Sequence, residues 1–285
     1  MSRQRSSGST KLKNAGLIIG TNIFPLLFAL SCIIPIIWIF LASLKTMNEF
    51  SANPVSLPQS PSFAVYQKIF TESDLFMNIL NSVWNTVISV FFVLIIGFIN
   101  GYFLARFKFR LRKFLYGFYL LELLIPIHAL LLPLYIMFNS IDLTNTSITL
   151  IPVYICAGIT TTTFLMQGYI QSVPRSLEEA AAIDGASFSR TLLTIVFPLT
   201  KPILATVGII HMFYCWNEFS FALILLSDKK YFTIPLALME FKSRNRIDYP
   251  SMMGVMFVAM IPALIIYACF SKQIIKGMVA GAVKG

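Results

Sequence analysis

Residues 179–202 have the sequence EAAAIDGASFSRTLLTIVFPLTKP, a stretch of small and polar residues between two hydrophobic segments. Ser176, followed by Glu179, predicts a capping box, in which a hydroxyl and a carboxylate pair with backbone donors at a helix start. Acidic residues in a first helical turn are also favoured by the helix dipole. Gly185 then predicts the end of this helix in a left-handed conformation.

A second short helix is predicted to follow the first. Ser187 is a suitable N-cap residue, and the helix is expected to run to Pro198. The product is a bent pair of helices with small alanines on one side and a carboxylate at the tip. Such a pair can dock into a groove on another protein, and the alternative is an amphipathic interfacial hairpin without a partner.

The composition places the stretch in a membrane protein. The chain has 285 residues, of which 57% are hydrophobic and 12% charged, and its mean hydropathy is +0.77. These values are too apolar for a soluble domain. Apolar runs of about twenty residues, the length that crosses a bilayer, predict an all-α polytopic fold with six transmembrane helices. They are placed at 17–44, 77–105, 114–138, 148–169, 202–226 and 251–271, with kinks at Pro35, Pro126, Pro133 and Pro152.

Lys and Arg residues predict the orientation. With both termini in the cytoplasm, the inner segments contain fifteen of them and the outer segments seven. The chain is then a cytoplasmic tail (1–16), a first span rather than a cleaved signal, an extracellular linker (45–76), a core (77–271) and a second cytoplasmic tail (272–285). The net charge of +10 is attributed to the basic residues that set the orientation of the chain in the membrane and that attract anionic lipid headgroups. Nucleic-acid binding is disfavoured, because the basic run RFKFRLRK is a short loop between spans.

The sequence lacks the residue patterns that metal binding, disulfide formation, ATP binding and catalysis require. The four cysteines show no metal or disulfide spacing, so they are expected to be packing residues, with no metal bound. The sequence contains no GxxxxGK[ST] phosphate loop and no recognisable catalytic constellation. The chain is therefore predicted not to be an enzyme and to bind no cofactor itself.

The loop resembles the cytoplasmic coupling loop of the membrane subunits of ATP-binding-cassette (ABC) importers. The family pattern is Glu-Ala-Ala, three residues, Gly, nine residues, Ile, one residue, Leu and Pro. Phe197 replaces the usual Leu. The resemblance implies that the loop, here 170–201, couples the chain to an ATPase through Glu179, Ala180, Ala181, Asp184, Gly185, Ile195 and Pro198.

Two further segments, CWNEFSFAL (215–223) and KGMVAGAVKG (276–285), resemble the smaller membrane subunit of maltose-type carbohydrate importers. The resemblance implies that the outer loop 227–250 approaches a solute-binding protein. It also implies a C-terminal tail that reaches between the ATPase subunits, through Lys276, Gly277, Gly281, Lys284 and Gly285. The alternative for the tail is a frayed, solvated end.

The partners implied by the resemblance are a homologous second permease subunit, two ATPase subunits that bind ATP and Mg, and an extracellular solute-binding protein. The cargo is expected to be a disaccharide or oligosaccharide. The chain is expected in the inner membrane of a bacterium as a multi-pass protein.

Polar residues inside the spans form a second candidate site. Glu122 and His128 lie in one predicted span but on different faces. His211, Tyr214 and Glu218 are spaced for one helical stripe, and Asn217 is adjacent. The stripe is either a polar wall of the translocation path or a contact between helices or subunits. Thr160 to Thr163 can bond back to their own helix and are expected to be mostly structural.

Three alternatives to a sugar importer remain at this point. An ion-coupled secondary transporter explains the intramembrane carboxylates Glu122 and Glu218 but does not need the loop. An ABC permease for a solute other than sugar keeps the loop and changes the cargo. A membrane-embedded enzyme requires a catalytic constellation that the sequence does not show.

Overall fold

A computed structural model of the chain describes residues 6–241 and 247–282, with side chains in 22–241 and 247–271. The described residues form helices and turns and no β-strand, so the all-α prediction is confirmed for them. The α-helices in chain order are α1 Ser6–Ser43, α2 Met47–Ala52, α3 Ala64–Thr71, α4 Leu75–Arg106, α5 Arg112–Leu124, α6 Leu131–Ser140, α7 Leu150–Ser172, α8 Ser176–Ile183, α9 Phe188–Thr191, α10 Phe197–Asn217, α11 Ser220–Leu225, α12 Ile234–Ala237 and α13 Tyr249–Ala282.

Five helical segments in the described part of the chain are long and apolar enough to cross a membrane. A sixth candidate is a bent pair of helices. The five segments are Asn22–Ser43, Leu75–Arg106, Leu150–Ser172, Phe188–Asn217 and Tyr249–Ser271, and the pair is Arg112–Leu124 with Ile127–Ser140.

The predicted span 114–138 differs from a kinked helix. The axes of its two halves are bent by 91°, and the break lies at Ile125, whose φ of −84° and ψ of 119° are extended. Pro126 explains the position of the break, because a proline disfavours helical geometry in the residue before it. Pro133 lies in the first turn of α6, where a missing N–H group is tolerated.

The predicted span 202–226 is also not one helix. The helical segment begins at Phe188 and ends at Asn217, because Glu218 is extended (φ −69°, ψ 128°). A new helix, α11, begins only at Ser220. The predicted bounds of this span are wrong because the sequence is apolar on both sides of the break, so hydropathy does not reveal where the helix ends.

The chain divides into two compact units, of which the first contains Met1–Thr71 and Ser243–Val258. Its predicted linker 45–76 is folded into α2 and α3. Lys45 is buried, and its ammonium group donates to the carbonyl groups of Asn53 (2.9 Å) and Pro54 (3.1 Å) and to the hydroxyl of Ser56 (3.2 Å). These bonds order the proline-containing segment around the lysine.

Asp248 fixes the start of α13 within the same unit. Its carboxylate accepts hydrogen bonds from the Lys68 ammonium (2.6 Å) and from the Ser251 hydroxyl (2.8 Å). Burial alone raises the pKa of Asp248, but these hydrogen bonds outweigh burial, and the net pKa is below its usual 3.8. The carboxylate is therefore charged at neutral pH.

The second unit, Glu72–Lys242 with Ala259–Gly285, contains two buried apolar clusters. One joins the last turns of α4 and α7 to the start of α10, with Tyr102, Met166, Ile170 and Val196 among its members. The other joins the start of α7 to the end of α10 and to α6, α11 and α12. The clusters therefore lie toward opposite ends of α7.

Helix α4 packs on α7 at two glycines. A Cβ atom added to Gly97 would overlap the side chain of Thr162, and one added to Gly101 would lie 2.6 Å from Cβ of Met166 and 2.9 Å from N of Gln167. Small residues permit this close approach, which is a common way for membrane helices to gain packing energy. The positions of α4 and α7 are thus tightly linked.

We predict that Gly101→Ala lowers the thermal unfolding midpoint of the purified protein in detergent. The added methyl group must push the backbones apart, at a cost of about 1–3 kcal/mol. Gly117→Ala is the matched control, since a Cβ atom there has nothing within 4 Å and should leave the midpoint unchanged or slightly raised. Equal midpoints for the two variants would contradict the close α4–α7 contact.

Candidate functional site

The first helix of the loop, α8, begins one residue earlier than the capping box requires. Arg175 is the N-cap residue and has helical φ and ψ (−65°, −27°), without a side-chain cap, and Ser176 is the first helical residue. The backbone N–H groups of Glu178 and Glu179 bond to the carbonyl of Arg175 (3.0 and 3.1 Å). The predicted Ser176–Glu179 box is therefore wrong, because the Ser176 hydroxyl lies inside the helix.

The end of α8 agrees with the prediction. Gly185 has a φ of 78°, the left-handed region that a glycine occupies without steric cost. The N–H of Ala186 bonds to the carbonyl of Ala181 (2.9 Å), and the N–H of Gly185 bonds to that of Ala182 (3.1 Å). This pattern is a Schellman end, which turns the chain sharply into the second helix.

The second helix begins as predicted and ends far beyond the prediction. Ser187 is its N-cap, and the hydroxyl accepts the N–H of Arg190 (3.4 Å). Helicity then continues from α9 through a π-helical turn, Leu192–Val196, into α10. The widened turn precedes Pro198, which lacks an N–H group and crowds the preceding turn. Pro198 thus distorts the helix without ending it.

The residues of α8 that belong to the predicted motif differ in their exposure to solvent. Glu179, Ala180 and Asp184 are exposed, and Ile183 is 87% exposed, whereas Ala181 is buried. The two alanines of the motif thus point to different sides of the helix. In the second helix Ile195 is half-buried and Pro198 is exposed. The exposed side of α8 therefore combines one large apolar side chain with two carboxylates.

The opposite face of α8 is attached to α4, through a residue that the sequence analysis did not select. Glu178 accepts hydrogen bonds from Nε of Arg106 (2.6 Å) and from the hydroxyl of Tyr102 (2.8 Å). The partners are 72 and 76 residues distant in sequence. The adjacent position, Glu179, contains the motif carboxylate, so sequence alone does not distinguish the inward glutamate from the outward one.

The predicted polar stripe is divided by the break after Asn217. His211 and Tyr214 lie on α10 with stacked rings, 5.7 Å between centroids, and Gly158 leaves room for the imidazole. Glu218 lies outside the helix and is buried. Asn217 is exposed and donates to the carbonyl of Phe213 in its own helix (2.8 Å). The four residues therefore do not form one continuous stripe.

Glu218 joins α7 to the start of α11. Its carboxylate accepts the hydroxyl of Tyr154 (3.1 Å) and the N–H groups of Phe221 (2.7 Å) and Ala222 (3.2 Å). These N–H groups belong to a first helical turn, where they have no partner within the helix. The Glu218 carboxylate therefore supplies an acceptor to these N–H groups at the interruption between α10 and α11.

Glu122 and His128, the polar residues of the bent pair that the sequence analysis selected, contact other helices. Thr160 donates to the carboxylate of Glu122, in place of the bond back to its own helix that the sequence allowed. His128 stacks on Phe221 with 6.3 Å between centroids. In the described part of the chain, no group of three or more His, Cys, Asp and Glu residues could hold a metal ion.

The loop 227–250, which is predicted to be an outer loop, rests on the start of α4 through residues that the sequence analysis did not select. The amide of Asn81 donates to the carbonyl groups of Lys230 (2.7 Å) and Phe232 (3.1 Å), and the hydroxyl of Ser82 accepts the N–H of Ile234 (2.9 Å). Residues 242–246 of this loop lie outside the described residues. The described part of the loop is therefore held against α4.

The C-terminal tail falls only partly within the structure. Helix α13 includes the backbone of Lys276, Gly277 and Gly281, whose side chains are not among those described, and Lys284 and Gly285 lie outside the described residues. The role of the tail therefore stays a prediction.

Comparison with known proteins identifies the family. The sequence model of one protein family, the binding-protein-dependent transport system inner membrane component, matches residues 97–275. The chain belongs to this family. It is 37% identical over 264 residues to a putative ABC transporter permease of Caldicellulosiruptor sp. (strain Rt8B.4), covering 92% of this chain and 96% of that protein. It is 32% identical to the melibiose/raffinose/stachyose import permease MelC of Bacillus subtilis (strain 168), covering 88% and 91% of the two chains.

A solved structure shares the fold. A chain of a bacterial ABC transporter involved in the import of the acidic polysaccharide alginate superposes with a TM-score of 0.75. It is 23% identical, and the match covers 95% of this chain and 98% of that one. The family consists of transporter permeases, so an ion-coupled secondary transporter and a membrane-embedded enzyme are wrong for this multi-pass membrane protein.

We predict that Glu218→Ala destabilises the permease, because it leaves the N–H groups of Phe221 and Ala222 and the Tyr154 hydroxyl without their partner. A buried group that loses its hydrogen bond costs about 1–3 kcal/mol. The measurement is the thermal midpoint in detergent, with Asn217→Ala as the adjacent control. A Glu218→Ala midpoint as high as that of the control would contradict the anchoring role.

Proposed function

We propose that this permease is the membrane subunit of an ATP-driven importer that receives a disaccharide or short oligosaccharide from a solute-binding protein. The observation that supports it most is the α8 helix of the loop, which exposes Glu179, Ile183 and Asp184 on one side and is attached to the membrane core on the other. Such a helix suits the transfer of force between two proteins.

Relatives support the choice of cargo. Besides the melibiose/raffinose/stachyose permease, the chain is 29% identical to the diacetylchitobiose uptake permease NgcG of Streptomyces coelicolor and 29% identical to the trehalose transport permease SugB of Mycobacterium tuberculosis. The matches cover 87% and 89% of this chain. The substrates in the names of these relatives are all small glycosides with many hydroxyl groups. We propose the same class of cargo for this chain.

The proposed topology has six spans and cytoplasmic termini in the bacterial inner membrane. The bent pair α5–α6 counts as one span for a structural reason. It starts just beyond Arg106, whereas Asn145, just past its end, accepts the N–H groups of Ser227 (3.0 Å) and Asp228 (2.7 Å) near the outer loop. The basic loop 106–113 and the coupling loop then lie at the same end of α4, as the excess of inner Lys and Arg requires.

The proposed partners are a homologous permease subunit, two ATPase subunits that bind ATP and Mg, and the solute-binding protein. A second structural neighbour, with a TM-score of 0.61 and 18% identity, was solved in complex with an alginate pentasaccharide-bound periplasmic protein. We place the binding protein at the outer loop 227–250. The tail residues Lys276 to Gly285 are proposed to enter the crevice between the ATPase subunits.

In the proposed cycle, closure of the ATPases displaces α8 and reorients the cavity between the two permease subunits. Glu179, Ala180, Asp184 and Ile183 would contact the ATPase groove, and Gly185 would keep the bend. We assign His211, Tyr214 and Glu218 to the contact between helices rather than to the sugar path. His211 and Glu218 are buried, the Tyr214 ring stacks on His211, and the Glu218 carboxylate is already bonded to Tyr154 and to the start of α11. Asn217, which is exposed, is the member of the set that a sugar hydroxyl could reach.

We predict that Glu179→Lys lowers ATP-driven uptake by at least about tenfold, because a lysine would face a basic groove and like charges across an interface cost several kcal/mol. Glu72→Lys is the matched control, with the same charge change at an exposed glutamate outside the loop. Membrane insertion, measured by immunoblot, should be equal in both. Full uptake by Glu179→Lys would contradict the coupling role.

The function itself is tested in proteoliposomes that contain the permease, its partner subunits and the binding protein. Binding to the binding protein is first measured for diacetylchitobiose, melibiose, trehalose, arabino-oligosaccharides and an amino-acid mixture. We predict that one of the glycosides binds and enters vesicles with internal ATP and without an ion gradient. Selective binding and uptake of an amino acid would contradict the proposed cargo.

A further inference from the structure

A single arginine side chain connects α4 to both sides of the bend that precedes α8. Arg106 lies in the last turn of α4. Its Nε donates to the Glu178 carboxylate of α8 at 2.6 Å, and its Nη2 donates to the carbonyl of Val173, the C-cap of α7, at 2.9 Å. The two acceptors lie on opposite sides of Pro174. The guanidinium group therefore fixes the direction in which α8 leaves α7.

The carboxylate of Glu178 is fully engaged. Its second oxygen accepts the hydroxyl of Tyr102, one turn before Arg106 on α4, at 2.8 Å. The side chains of Arg106 and Glu178 are only 8% and 14% exposed. A charge-assisted pair that is this well shielded from water is short and directional. It resists rotation of α8 about its own axis.

The second half of the loop contacts the same turn of α4 through apolar groups. The ring of Phe188, at the start of α9, lies 5.9 Å from Tyr102, 6.3 Å from Phe103 and 6.2 Å from Phe107 between centroids. Both halves of the loop thus meet the last turn of α4. Because α4 is packed against α7 at Gly97 and Gly101, a displacement of the loop acts on two spans together.

The opposite faces of α8 have different surroundings. The inward face is held by Arg106 and Tyr102, while the outward face exposes Glu179 and Ile183. The helix has eight residues, about two turns, so a force on the outward face reaches the inward contacts directly. A helix attached only by apolar contacts could instead slide or rotate under the same force.

We propose that Arg106, together with Tyr102 and Glu178, is a positioning clamp that transmits the ATPase-driven displacement of α8 to α4 and α7. The inference rests on the proposed function. The essential element is the two-site geometry of the guanidinium group, in addition to its charge. Lysine keeps the charge but has a single donor nitrogen on a flexible stem, so it lacks the rigid, planar fork whose separate Nε and Nη2 groups hold Glu178 and Val173 in a fixed relation.

The decisive variant is therefore Arg106→Lys, studied in the complete importer in proteoliposomes. The probe is the radiolabelled disaccharide selected from diacetylchitobiose, melibiose and trehalose by the binding assay. We expect the ATPase subunits to co-purify normally and ATP hydrolysis to continue, while the sugar transported per ATP hydrolysed falls on the order of tenfold, within the usual range of coupling between sites. Arg110→Lys, at an exposed position four residues further on, is the matched control and should behave as the parental protein.

Two further variants separate the clamp from simple folding. Glu178→Gln keeps the shape and loses the charge, and should uncouple in the same way. Tyr102→Phe removes one of the three hydrogen bonds and should give a smaller loss, with unchanged co-purification. The charge exchange Arg106→Glu with Glu178→Arg should recover part of the transport per ATP lost in Glu178→Gln, because the ion pair is restored while the bond to Val173 is not.

The outcomes distinguish this inference from the proposed function. If the parental importer shows no ATP-dependent sugar uptake, the proposed function is wrong. If the parental importer transports and Arg106→Lys transports as much sugar per ATP, the clamp is wrong. Loss of the ATPase subunits from Arg106→Lys during purification would also overturn it, since the side chain would then act in docking and not in transmission.

Discussion

The close contact between α4 and α7 is the constraint on which the rest of the second unit depends. Gly97 and Gly101 allow the side chains of Thr162 and Met166 to approach the α4 backbone, so the two helices have little freedom to slide past each other. Their last turns, together with the start of α10, enclose one apolar cluster. Helices α8 and α9 are attached directly to that end, so their orientation depends on the packed pair.

The same unit tolerates interrupted helices because the freed backbone groups find partners inside the protein, as the membrane requires. At the end of α10, the Glu218 carboxylate accepts two N–H groups of α11 and a tyrosine hydroxyl from α7. A carboxylate in this position is therefore explained by structure before any sugar is considered. The polar residues at the start of α4 likewise bond to the segment that follows α11, so this end of the second unit is held by polar contacts at two places.

Local chemistry explains which predictions succeeded. The left-handed Gly185 and the Ser187 cap depend on neighbouring residues, and both were visible in the sequence. The span break at Glu218 was not visible, because hydropathy averages over windows and the flanking segments are equally apolar. The role of Glu178 was also hidden: its partners on α4 are more than seventy residues distant, and only the fold brings them together. The capping box failed by one position, since Ser176 is inside the helix that it was expected to cap.

In the proposed cycle, α8 and α4 move as one body when the ATPases close. The most direct measurement is the distance between spin labels at Ile99→Cys on α4 and Leu177→Cys on α8, by pulsed electron paramagnetic resonance in the assembled importer, with the native cysteines replaced. Both positions are exposed. We predict that the parental importer gives one narrow distance distribution, the same with and without ATP. After Arg106→Lys, the distribution should shift or broaden when ATP is added. A distribution that shifts with ATP in the parental importer, while the clamp residues are intact, would contradict it.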